Sequence, residues 1–177
     1  MAGSVLIKLL GGLIIISACG ALGNMVAKAL AARAEALTVA CHGLQLLATE
    51  IDYGATPLPL ALEQVSRRLG GEVGQLFSKA AENLINEKGL TATEAWEGAL
   101  ADSLNYLAMN GGDTDVLRRF GQGLGLSHRE DQLRRLRLVS EQLEERQKEA
   151  ARASQTQGRV WRGLGVSTGL VLFLMWF

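Results

Sequence analysis

The sequence predicts an all-α protein: an antiparallel bundle of about six helices whose long first and last helices extend into two transmembrane spans. Three observations predict it. Two prolines in 177 residues leave room for long uninterrupted helices. Apolar residues recur at steps of three and four, and no segment alternates with period two over more than a few residues, so no sheet is expected. Charge is sharply partitioned, because every Lys, Arg, Asp and Glu except Lys8 lies between Lys28 and Arg162. Three parts follow: an N-terminal span (1–27), a helical bundle with a membrane-proximal helical stalk (28–158) and a C-terminal span (159–177).

The first span is Leu9 to Ala27, 19 residues without a charge. As a helix it is about 28 Å long, close to the hydrocarbon thickness of a bilayer. Lys8 before an apolar run also fits a cleaved secretory signal. Ile16-Ser17-Ala18-Cys19 fits a lipoprotein cleavage box, with Cys19 lipidated. A processing site is normally followed by a flexible polar stretch, whereas helix-forming sequence here continues unbroken past Cys19. The balance favours a retained transmembrane helix.

Beyond it, Leu37, Ala40, Leu44, Leu47 and Ile51 form one helical stripe, ended at Tyr53-Gly54 with Gly54 as C-cap. Thr56-Pro57 opens a second helix as N-cap and first-turn proline, with Leu62, Val65 and Leu69 inside until Gly70-Gly71 stops it. Val73, Leu76, Phe77, Ala80 and Leu84 define a third, closed near Gly89. Thr91-x-x-Glu94 has capping-box spacing and starts a fourth, lined by Trp96, Leu100, Leu104 and Leu107 and ended by Gly111-Gly112. Asp113 caps a short fifth helix with Val116, Leu117 and Phe120. Ser127-x-x-Glu130 is another capping box, opening a last helix striped by Leu133, Leu136, Leu143 and Ala150. No breaker precedes Gly158, so this helix is expected to run on into the second span.

That span, GLGVSTGLVLFLMWF, is apolar on every face from Leu170 to Phe177. Its 15 residues reach only about 23 Å, extended by Val160 and Trp161 with Arg162 snorkelling to the interface. Gly165 and Gly169 are spaced for close helix packing. Lys28, Arg33, Arg152, Arg159 and Arg162 all flank the spans on the middle-domain side, against the amino terminus and Lys8 opposite. The positive-inside rule therefore places the middle domain in the cytoplasm. A free Cys41 fits a reducing compartment.

Composition narrows the function. Lys+Arg 18 against Asp+Glu 18 gives zero net charge, which argues against a nucleic-acid binder. No Walker A loop is present, and Gly121-Gln122-Gly123-Leu124-Gly125 follows a helix and reads as a helix-terminating loop. Neither His42 nor His128 has metal-site spacing, and no catalytic residue, metal or cofactor is predicted. The arginines at 129, 134, 135 and 137 alternate with Glu130, Asp131 and Glu141, a self-paired solvated face by default and a docking surface for an acidic partner as the lesser reading. The residues describe a non-enzymatic, membrane-anchored helical interaction module.

Glu50-Ile51-Asp52-Tyr53-Gly54-Ala55-Thr56-Pro57-Leu58, Glu94-Ala95-Trp96-Glu97, and Phe120-Gly121 through Leu126-Ser127-His128-Arg129-Glu130-Asp131-Gln132 occur in order between two apolar ends. Together they closely resemble the stage III sporulation protein AB family of endospore-forming bacteria, over essentially the whole chain. That family is similar in turn to the cytoplasmic domain of F-type inner-membrane platform proteins of type II secretion and type IV pilus machines. Those usually carry two copies of the domain and a third span; one copy is found here, so self-association or other subunits would supply the rest. The resemblance implies a subunit of the channel-like complex between mother cell and forespore, in the cell membrane with its bulk domain on the mother-cell side. A secretion-type ATPase, the stage III sporulation protein AA, is the implied partner. His128 stands where the family usually has Asp, which suits a helix N-terminus less well.

Gly54, Thr56, Pro57, Glu94, Trp96, Ser127 and Glu130 have a structural explanation as turn, cap and core residues. Glu50, Asp52, Tyr53, Arg129 and Asp131 are not required by capping and are the candidate partner interface. An ion-pair network between the two long helices is their alternative role. A membrane-tethered sensor would need an output domain past its second span, where the chain ends at Phe177. A lipoprotein held by Cys19 would face outward, against the flanking charge.

Overall fold

The computed structural model describes residues 2–53, 56–86, 89–125 and 129–176, and within them every side chain except those of 2–9, 53, 129, 130 and 176. Six α-helices follow one another: α1 (Ala2–Tyr53), α2 (Leu58–Leu69), α3 (Gly71–Asn86), α4 (Ala92–Ser103), α5 (Gly111–Gly121) and α6 (Arg129–Trp176). No strand occurs among the described residues. The chain divides into two compact units, Arg33–Lys148 and the pair Met1–Ala32 with Glu149–Phe177.

In the unit Arg33–Lys148 the helical stripes become the core. Leu37, Ala40, Leu44 and Leu47 of α1, Leu62 and Val65 of α2, and Val73, Leu76, Phe77 and Ala80 of α3 are buried. So are Trp96 and Leu100 of α4, Val116, Leu117 and Phe120 of α5, and Leu136 and Leu143 of α6. Each fully buried Leu, Val or Phe contributes about 1.5–3 kcal/mol relative to exposure. Gly43 brings α1 close to α2 and α3, since a Cβ there would sit 2.7 Å from Leu69 Cδ1 and 3.0 Å from the Phe77 ring. Gln45 to Glu144 and Gln147 to Thr38 link α1 to α6 in antiparallel order.

Helix ends follow local chemistry, with three departures from the sequence reading. Gly70 and Gly71 both take left-handed φ (63° and 59°), a conformation open to glycine, and so separate α2 from α3. The Thr91 capping box forms, Glu94 N–H donating to Thr91 Oγ1 at 3.2 Å and Thr91 N–H to Glu94 Oε2 at 2.8 Å. The first departure is at α2: its N-cap is Pro57, not Thr56, and it has no side-chain cap. Proline in the first turn, Pro59, removes one donor that a cap would otherwise satisfy.

The second departure is at α4, which stops at Ser103 instead of continuing through Leu104 and Leu107. The Ser103 carbonyl accepts from Tyr106 N–H and Leu107 N–H, and its hydroxyl lies 2.6 Å from Tyr106 Oη. This knot of bonds turns the chain, leaving Leu104 exposed and Leu107 buried beyond the helix. The third is at α5. Gly111-Gly112 belong to its first turn, Asn110 is the cap, and Asp113 is the third helical residue in a reciprocal capping box. Arg146 packs over this turn: a Cβ on Gly112 would lie 2.9 Å from its Nη1. Gly54, Ser127 and His128 lie outside the described residues, as does the Glu130 side chain.

The second unit pairs the outer segments of α1 and α6 through glycines. A Cβ on Gly165 would lie 2.6 Å from the Cys19 carbonyl oxygen, and one on Gly169 2.8 Å from Ile16 Cα. Gly23 faces the Trp161 carbonyl and Gly12 the Phe173 ring. Small residues let the backbones approach, as in packed membrane helices. Leu10, Leu13, Ile14, Leu22, Met25, Leu164, Leu170, Leu174 and Met175 of this unit remain exposed. By length and composition α1 contains a stretch apolar enough to cross a membrane.

Candidate functional site

Of the sequence-predicted interface residues, the side chains of Glu50, Asp52 and Asp131 are described. Glu50 is drawn to α2, where its carboxylate lies 3.3 Å from Arg68 Nη2 and is largely buried. Asp52 is exposed at the end of α1 and already has an interaction partner. The side chains of Tyr53 and Arg129 are outside the described set. Asp131 is exposed on α6 and makes no ion pair among the described residues.

Further along α6, Leu133, Arg134, Arg137 and Leu138 line one shallow concavity. Leu138, Glu141, Gln142, Glu144, Glu145 and Lys148 line a second. Leu138, 53% exposed, is common to both, so this face offers an apolar centre between a basic and a mainly acidic end. Such a face suits a protein partner better than a small molecule, because both hollows are open and mix apolar and charged side chains.

The strongest polar construction in the bundle was not legible as a pair. Asp113 is fully buried and accepts from Arg33 through two bonds, Nε to Oδ2 at 2.7 Å and Nη2 to Oδ1 at 2.9 Å. It also accepts from Asn110 N–H at 3.0 Å. Burial alone would push the Asp113 carboxyl up; the Arg33 and Asn110 bonds and the charges of Arg33 and Arg146 outweigh it and hold it below its ordinary value. Arg33 had a signal as a flanking charge and Asp113 as a capping residue, but 80 positions separate them.

Around Trp96 the core is aromatic. Phe77 and Phe120 meet its ring edge-on, with centroids 5.3 and 4.6 Å away. Its indole Nε1–H donates to the Leu117 carbonyl at 2.7 Å. Gly121 lies directly against the ring, where a Cβ would collide with Trp96 Cδ1. Cys41 is buried in the same unit, and burial, with the charge of Glu144 adding to it, pushes its thiol up to about 11. The thiolate is therefore scarce at neutral pH. Glu94 is held below its ordinary value by the Thr91 backbone and hydroxyl bonds. Among the described residues no group of three or more His, Cys, Asp or Glu could hold a metal ion.

Comparison with known proteins adds the lineage. The sequence model of the family described as stage III sporulation protein AB matches residues 8–177. A stage III sporulation protein AB of Bacillus subtilis (strain 168) is 32% identical over 171 residues, covering 96% of this chain and 99% of that protein. A solved structure of a stage III sporulation protein AB superposes with a TM-score of 0.66 at 31% identity, covering 70% of this chain and 97% of the other.

Proposed function

The chain belongs to the stage III sporulation protein AB family, and from that premise we propose that it is a non-enzymatic platform subunit of a sporulation secretion-like complex. It is anchored by two spans, with its bundle on the cytoplasmic, mother-cell side, and it docks a secretion-type ATPase of the stage III sporulation protein AA kind. The observation that carries this reading is the match over residues 8–177, which takes in both apolar ends together with the bundle between them. Two further features support it. The outer part of α6 exposes Val160, Leu164, Val166, Leu170, Val171, Leu172, Leu174 and Met175, an apolar surface suited to lipid. The exposed, charge-patterned face of α6 suits docking through a polar rim around Leu138. F-type platform likeness and self-association belong to the same proposal.

Topology gives the first test. Protease added to spheroplasts should leave the bundle intact, and permeabilised cells should lose it. Cleavage without permeabilisation would reverse the orientation and favour an outward-facing lipoprotein. Docking gives the second. Reversing both charges, Arg129→Glu with Asp131→Arg, should change stability by no more than about 1 kcal/mol, because even an exposed charge that does pair contributes little. The same variant should co-purify less of the ATPase and sporulate less efficiently. A clear fall in melting would return these residues to a structural role, and unchanged binding would remove them from the interface.

A further inference from the structure

The unit made of Met1–Ala32 and Glu149–Phe177 carries an uncompensated basic belt whose depth its glycine contacts define. A Cβ on Gly158 would lie 3.7 Å from Ala27 Cβ, and since the segments run antiparallel Arg159 lies level with Val26, about 3 Å along the apolar run from Lys28. Gly23 faces the Trp161 carbonyl, so Trp161 and Arg162 sit about 6 Å further along the apolar run of α1 than Lys28. Lys28, Arg159, Arg162 and Asn24 are all exposed, and Trp161 is 45% exposed between the two arginines. None of the three cations is in an ion pair among the described residues. Glu149 is the sole acidic residue in the unit's sequence and lies about 15 Å along α6 from Arg159.

A guanidinium at the edge of an apolar helix pair gains from an anion beside it, and the unit's sequence has no acidic side chain at that level. A lipid phosphate stands at that depth when the apolar run lies in hydrocarbon. Its oxygens match the forked arginine donors, and the Trp161 indole suits the headgroup layer. Resting on the two-span reading above, we propose that Lys28, Arg159 and Arg162, with Trp161 and Asn24, form a binding surface for anionic phospholipid headgroups. Each basic residue near an anionic surface raises affinity about fivefold. Three such residues with no local acid make the belt selective for anionic over zwitterionic lipid, beyond orienting the chain.

The test uses the full chain in detergent, with native mass spectrometry counting phosphatidylglycerol and phosphatidylcholine adducts at equal concentrations. The wild type should retain phosphatidylglycerol preferentially. The triple variant Lys28→Gln, Arg159→Gln, Arg162→Gln should lose that preference to within about twofold, while the charge-matched control Arg67→Gln, Arg118→Gln, Arg119→Gln, exposed in the other unit, should keep it. Equal retention of both lipids by the wild type, or a control that falls as far as the triple variant, would overturn the belt as a specific surface. Displacement of the adduct by excess inorganic phosphate would assign the site to the free anion and overturn the lipid assignment. Alkaline extraction of membranes separates the two readings: a chain that stays with the membrane but shows no preference refutes this inference alone, whereas a wild-type chain that is extracted refutes the span itself and the belt with it.

Discussion

Asp113→Asn is expected to destabilise the chain by about 2–4 kcal/mol, somewhat below the 3–5 kcal/mol of a fully buried pair losing one partner, because Arg33 keeps 21% of its side-chain surface. The amide can offer Arg33 one acceptor oxygen in place of two, and its NH2 group faces the same donors. Asn110 N–H loses its charged acceptor as well. Urea unfolding of the full chain in detergent, followed by helical circular dichroism, reads the cost. Acid dependence gives a second readout. The folded carboxyl titrates below its ordinary value, so near that value the unfolded chain binds more protons and stability rises with pH. The Asp113 contribution is fully present above the ordinary carboxyl value of 3.8 and disappears as pH falls through the lower folded value. The gap between wild type and Asp113→Asn should therefore close with acidification, and a gap independent of pH would show that the carboxylate charge is not what stabilises the site.

This pair marks the limit of what sequence periodicity can reach. A helical stripe is local information: it depends on residues three and four apart, which is why Leu37, Leu44, Leu62, Phe77, Trp96 and Leu143 could be placed in the core before any fold was known. The Thr91 box is equally local, and it forms. An ion pair across 80 positions depends on how α1 and α5 meet, which no spacing rule encodes. Arg33 reads as a membrane-flanking charge and Asp113 as a cap; the second reading holds in part, since Asp113 does close the Asn110 box.

The missed helix ends have the same cause. Gly111-Gly112 looks like a terminator until Arg146, from distant α6, is found packed over Gly112. Leu104 fits the α4 stripe, but the bonds converging on Ser103 end the helix first. For the candidate interface, residue type singled out Glu50 as a polar residue without a capping role. In the fold its carboxylate pairs with Arg68 of α2.

Trp96→Ala should cost about 3–5 kcal/mol, the range for removing a large aromatic side chain from a packed core. Trp96 is fully buried between Phe77 and Phe120, and its indole hydrogen bond to Leu117 ties α4 to α5. Collapse of the surrounding core is limited because Gly121 has no side chain with which to fill the gap. Trp96→Phe retains most of the ring contact and removes the bond, which should cost about 0.5–1.5 kcal/mol for the bond with a further cost for the smaller ring. Gly121→Ala approaches from the other side: its new Cβ collides with the indole and should cost about 1–3 kcal/mol by overpacking. Combined with Trp96→Ala, which removes the Cγ and Cδ1 that the new Cβ meets, the two changes should cost less than their sum, because contacting residues are energetically coupled. Denaturant midpoints by circular dichroism measure all four variants, and strict additivity would refute the contact. Trp96 is also one of the residues that carry the family resemblance. If it is there for packing, then under the proposed docking of an ATPase Trp96→Phe should fold and bind like the wild type, whereas Trp96→Ala should lose binding only as far as it loses folded protein. A Trp96→Phe chain that melts normally yet fails to bind would make the indole part of the docking surface despite its burial.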